Sequence, residues 1–190
     1  MTPAVAQIVA LVERCGDDPY DEEIGHRFHA EQSAAAAAAD GASESLVAAA
    51  LLHDIGHLLF MDGGADRPGP GVGDWRHESR GARALAPAFP PSVTRPIALH
   101  VAAKRYLVAT EPAYAEGLST GSTASLSAQG GAMDTAECAR FEGLPGAADA
   151  LRLRRWDDAA KERDARVPAF ADYVGLLERV VVRHDVGLAT

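Results

Sequence analysis

The chain has 190 residues, 47% of them hydrophobic and 24% charged, which is enough for one core and too few for two comfortable domains. Its formal charge of -9, with a pI near 5.2, argues against a nucleic-acid or anionic-membrane surface, because either favours a basic face; a small molecule is the expected partner. The start, MTPAVAQIVALVERCGDD, has no basic segment ahead of an apolar core and no small-residue cleavage site, and no stretch reaches transmembrane length, so a cytoplasmic protein is expected. Cys15 and Cys138 lie far apart without CxxC spacing and read as ordinary small side chains.

Ala4 to Arg14 repeats apolar residues at helical spacing (Val5, Ile8, Val9, Val12) and stops at Cys15-Gly16. DDPYDEEIGHRFHA follows as a turn and acidic loop carrying Tyr20, Glu22 and Glu23. His29 opens HAEQSAAAAAAD, whose alanines favour helix and close packing until Asp40-Gly41. Ser43 is the expected N-cap of a central helix running through Leu46 to about Leu59, with His53, Asp54 and His57 in LLHDIGH. MDGGADRPGPGVGDW holds too many glycines and prolines for regular structure, and reads as a loop over that helix. Trp75 to Ala86 is a predicted helix with His77 in its first turn. Val93 to Val108 is another, with His100 and Lys104 four residues apart on one face. Residues 111–146, rich in Gly, Ser, Thr and Ala, suggest short pieces and a candidate lid. Ala147 to Asp164 is a charged helix, and Pro168 to about Arg183 a last apolar one. No segment alternates with period two, so the expected fold is all-α, a single domain over residues 1–190.

On a helix the side chains of His53, Asp54 and His57 fall within about 100° of arc. An imidazole beside a carboxylate in an Ala/Leu/Ile run needs a partner to be buried, and suits a catalytic Zn, Mn or Fe centre. His29, His53, Asp54, His77, His100 and Asp158 form the candidate ligand set, each on a different predicted helix except the adjacent pair. Four histidines and two carboxylates exceed what one catalytic zinc takes and suit two metals bridged by Asp54. His26 and His184, in polar surroundings, read as ordinary histidines.

The order H…HD…H…H…D resembles the HD-domain superfamily of helical metalloproteins. HDIGH, HVAAKRYL at 100–107, SxxSLxxQGG at 122–131 and LRRWDDxAK at 153–161 are similar, more specifically, to the PhnZ-type HD-domain phosphonate oxygenases, relatives of myo-inositol oxygenase. The likeness covers roughly Tyr20 to Lys161.

The resemblance implies a mixed-valent Fe(II)/Fe(III) pair, one iron held by His29, His53, Asp54 and Asp158 and the other by Asp54, His77 and His100. Asp157 competes with Asp158; Asp158 is preferred because it follows Arg155 by three residues, matching the family's RxxD. Lys104, Ser122, Ser125, Gln129 and Arg155 resemble the residues that receive the phosphonate, and a dianion does call for cations and hydroxyl or amide donors. His57 is implied to face the substrate from outside the ligand set. Tyr20 and Glu23 look like the pair that meets a cationic amine, although Glu22, not Glu23, has the family's spacing to His29. The implied reaction uses O2 to split the carbon–phosphorus bond of a 1-hydroxyphosphonate, such as 1-hydroxy-2-aminoethylphosphonate or its N-methylated form. The alternative is an HD-type phosphohydrolase acting on a phosphate ester or nucleotide. A non-catalytic binding module fits the full ligand set poorly.

Overall fold

The first helical stripe forms α1 (Pro3–Cys15), with Pro3 in the first turn, where its missing N–H costs nothing, and with Val5, Ile8, Leu11 and Val12 buried. The computed structural model describes residues 1–19, 24–63 and 76–189. The expectations for Tyr20, Glu22 and Glu23, and for most of the glycine- and proline-rich segment, lie outside the described residues. Regular structure among the described residues is helical throughout, as the sequence pattern implied.

In α2 (His26–Ala39) the alanine run presents Ala34 and Ala37 with no exposure, so α2 lies close against α3 (Glu44–Leu52). Ser43 caps α3 by accepting from the Leu46 N–H. Every residue from Leu46 to Leu52 is buried, so α3 is apolar all round and forms the middle of the molecule, with α2, α6, α10 and α11 around it. Each buried leucine there contributes about 1.5–3 kcal/mol.

The expected single helix through Leu59 is in fact two. Asp54, at φ -99 and ψ 9, leaves the helical region, and α4 (Ile55–Asp62) departs at 41° from α3. His57 N–H closes a tight turn onto the Asp54 carbonyl at 2.9 Å, while the Asp54 side chain makes no capping bond to α4. Its carboxylate therefore stays available to the interior.

α5 (His77–Leu85) begins two residues later than predicted and crosses α4 at two glycines. A Cβ on Gly56 would stand 2.0 Å from the His77 carbonyl oxygen, and one on Gly81 3.1 Å from the Gly56 nitrogen. That close approach needs a residue without a side chain on both helices. α6 (Pro91–Thr110) is long and packs against α3, α5 and α10.

The region expected to hold short pieces carries three short helices, α7 (Pro112–Glu116), α8 (Thr120–Ala128) and α9 (Thr135–Glu142). Ser119 caps α8, and Asp134 with Glu137 forms a capping box on α9. Gly130 and Gly131 take φ of +96 and +72 to reverse the chain after α8, and Arg105 of α6 ties that turn down through the Gly131 carbonyl (2.8 Å) and Glu137. α10 (Ala147–Ala159) stops five residues before the expected end. The following chain is held instead by the Gln32 side chain, which bonds both the N–H and the carbonyl of Glu162. The expected last helix is a 3-10 turn (Phe170–Tyr173) leading into α11 (Val174–Val180). No single described helix is long and apolar enough to cross a membrane, and the bent α3–α4 pair, apolar enough together, supplies the buried core.

Candidate metal centre and anion cradle

Five helical elements converge on one point. His29 comes from the first turn of α2, His53 and Asp54 from the break between α3 and α4, His77 from the first position of α5, His100 from α6 and Asp157 from α10. Arg76, in the left-handed region at φ 45, precedes His77 and turns the chain into α5. All six are buried, His29 and His53 completely.

Their donor atoms fall into two groups that could each hold a metal ion, His29 with His53 and Asp54, and Asp54 with His77 and His100. Asp54 belongs to both and faces them with different oxygens. Oδ2 lies 3.5 Å from His53 Nε2 and 3.9 Å from His29 Nε2, whereas Oδ1 lies 3.3 Å from His77 Nε2 and 3.8 Å from His100 Nε2. That is the disposition a bridging carboxylate requires.

Tautomers are fixed by the main chain. His29, His53 and His100 each give an Nδ1 proton to a carbonyl, of Ala160, Ala50 and Ile97, at 2.8 Å, leaving Nε2 to point inward. The inward nitrogens then meet in pairs, His29 to His53 at 3.2 Å and His77 to His100 at 3.1 Å. Imidazole nitrogens gathered with a shared carboxylate are a donor set that fits metal ions.

The carboxylates remain charged despite burial. For Asp54, desolvation is outweighed by His53, His77 and His57, and its pKa lies well below the usual range. For Asp157, desolvation is outweighed by Arg154 and then His53, with the same result. Burial, followed by His77 and His53, drives His100 well down and keeps it neutral.

The sequence expectation for α10 is shifted by one residue. Asp157, not Asp158, faces the histidines, with Oδ1 3.3 Å from His29 Nε2 and 3.8 Å from His53 Nε2. Asp158 instead accepts from Arg154, Tyr114 and Ser122. Likewise Arg154 is buried and bonds Asp157 Oδ2 at 2.7 Å, while Arg155 is half exposed and pairs with Glu111 at the surface. The i, i+3 spacing fits Arg154–Asp157 as well as Arg155–Asp158, and the buried stripe Ala150, Leu153, Arg154, Asp157 decides between them.

Beside the cluster is a nest of cations and hydroxyls. Lys104, 2% exposed, bonds Ser125 Oγ at 2.8 Å. Arg154 reaches Ser122 Oγ at 3.3 Å, and Lys161 bonds the hydroxyls of Ser119 (2.9 Å) and Ser122 (3.2 Å). Lys161 was not singled out in the sequence, although it sits within the LRRWDDxAK motif. Its position four residues after Asp157 is the signal that was available. Gln129 ends α8 with a buried Oε1 that has no hydrogen-bond partner among the described residues. Burial, then Arg154, pulls the Lys104 ammonium down to about 8. His57 stacks on His77 with centroids 4.0 Å apart, its Nε2 4.0 Å from Asp54 Oδ1.

A family model described as HD domain matches residues 22–174, most of the chain. The chain belongs to the HD-domain family. This HD-domain chain is 44% identical to the hydroxymethylphosphonate dioxygenase of Gimesia maris over 169 residues, 89% of this chain and 84% of that protein. It is 37% identical to the (1-hydroxy-2-(trimethylamino)ethyl)phosphonate dioxygenase of Leisingera caerulea, described as glycine-betaine-forming, over 184 residues, 93% of this chain and 90% of that protein. The resemblance read from the motifs is therefore shared along nearly the whole HD-domain chain.

Proposed function

We propose that this protein is an oxygenase that uses O2 to cleave the carbon–phosphorus bond of a small 1-hydroxyphosphonate, releasing phosphate and a carboxylic acid. The carrying observation is the two-faced Asp54 between two histidine pairs, next to a buried cationic nest. The two named relatives, both dioxygenases of hydroxyphosphonates, support the same reading.

Two iron ions are proposed, one held by His29, His53, Asp54 and Asp157 and one by Asp54, His77 and His100. When bound, iron in an Fe(II)/Fe(III) pair supplies the redox chemistry that dioxygen and the hydroxyl-bearing carbon require. The chain's own residues do the rest. Lys104, Arg154 and Lys161 neutralise the phosphonate charge, and Ser122 and Ser125 fix its oxygens by donating hydrogen bonds. Arg154 also holds Asp157, so anion binding and metal binding share one side chain. His57, kept neutral because burial and His77 push its pKa down to about 3, offers a hydrogen-bonding nitrogen beside the cluster without adding charge.

The test is phosphate release from hydroxymethylphosphonate by iron-loaded protein with and without air. Release is expected in air, with formate formed in equal amount, and none under anaerobic conditions. Anaerobic hydrolysis of phosphomonoesters or nucleotides, with phosphonates ignored, would establish the phosphohydrolase instead.

A further inference from the structure

The four imidazoles of the cluster are not held alike. Three give their outer proton to neutral main-chain carbonyls at 2.8 Å, two of these lying three residues back on the same helix. His77 is the first residue of α5. Among the described residues, the carboxylate of Glu78 lies beside its Nδ1, with Oε2 at 3.8 Å.

Glu78 is itself an anomaly. Its residue exposure is 7%, its Oε1 accepts from the Ser79 hydroxyl at 3.1 Å, and its Oε2 is buried without a hydrogen-bond partner among the described residues. A buried carboxylate oxygen left unsatisfied is unfavourable unless it has a task. At 3.8 Å the carboxylate is within ion-pair range of the His77 ring.

We propose that Glu78 is the outer partner of His77, a carboxylate that takes the Nδ1 hydrogen bond where the other three histidines use carbonyls. An anionic acceptor makes the imidazole a stronger donor at Nε2 than a neutral carbonyl does. His77 is then a more electron-rich ligand to the ion it shares with Asp54 and His100 than it would be with a carbonyl partner, which partly offsets the direct carboxylate that Asp157 gives the other ion. Glu78 thereby stabilises the oxidised state at its own ion relative to what a neutral partner would allow. Glu78 is a positioning residue and touches neither substrate nor metal.

This inference rests on the two-metal reading, and the experiment separates the two. Anaerobic calorimetric titration with Fe(II) should find two ions in the wild-type chain. In E78Q, which keeps the shape and removes the charge, the second ion should bind 10–100-fold more weakly and the first unchanged. Redox titration followed by electron paramagnetic resonance should place the midpoint of the pair higher in E78Q, because a nearby negative charge has been removed. A carboxylate that only favours the first turn of α5 would lower the melting temperature of the metal-free chain and leave both readouts alone. Should E78Q fail to fold, E78D withdraws the carboxylate from His77 and carries the same expectation for the second ion. Fewer than two ions in the wild-type chain would overturn the two-metal reading. Two ions bound equally well by wild type and variant, with an unshifted midpoint, would overturn the role of Glu78 alone.

Discussion

The histidine cluster and the anion cradle meet at Arg154 but are built on different terms. In the cluster, three of the four imidazoles are locked by main-chain carbonyls, and every donor is buried. In the cradle, long flexible cations are held by serine hydroxyls of the short helix α8 and by Asp158, groups that the proposed function would have a phosphonate replace. The cluster is preorganised by backbone, whereas the cradle is assembled by side chains and is more easily altered one residue at a time. Substitutions should therefore affect metal content in one region and substrate affinity in the other.

The sharpest break is expected along α10. Asp157→Ala should weaken the metal at His29 and His53 by more than about 100-fold, since a direct ligand is lost and Arg154 is left with an unmatched buried charge. Asp158→Ala should leave metal content intact while changing phosphonate affinity. Metal analysis of both variants after dialysis checks this, and metal loss in Asp158→Ala with retention in Asp157→Ala would reverse the assignment.

Smaller, and confined to the cradle, is the effect of Lys104→Ala. Loss of a charge-assisted contact should cost about 1.5–3 kcal/mol in phosphonate binding, more than tenfold, with metal content unchanged. The pH dependence has a defined sign. Because the ammonium titrates near 8, affinity should be full well below that pH and fall as pH rises through it, whereas the Lys104→Ala variant should lose that limb. Binding isotherms across the alkaline range distinguish the two.

The smallest effect is expected at Arg155. Its ion pair with Glu111 is half exposed on both sides and is worth about 0–1 kcal/mol, so Arg155→Ala should leave metal content and affinity near wild type. A large loss of phosphonate binding there, measured beside Arg154→Ala, would place the cradle's cation where the spacing alone had suggested.

Much of this was legible before any fold was known. Apolar spacing of 3.6 marked the helices, Ser43 marked a true cap, and the buried-looking HD pair in an apolar run required a partner. His29, His53, Asp54, His77 and His100 needed only their chemistry and their separate helices to be gathered as candidates. The tertiary structure decided what depends on phase and packing. Adjacent helix residues point about 100° apart, so a one-residue shift exchanges Arg154–Asp157 for Arg155–Asp158 with the spacing preserved, and only the face packed on α2, α3 and α6 chooses. The break at Asp54 is likewise invisible in a sequence that favours helix on both sides. It exists because α4, pressed against α5 through Gly56 and Gly81, cannot continue the line of α3, and that bend is what turns one carboxylate toward two histidine pairs.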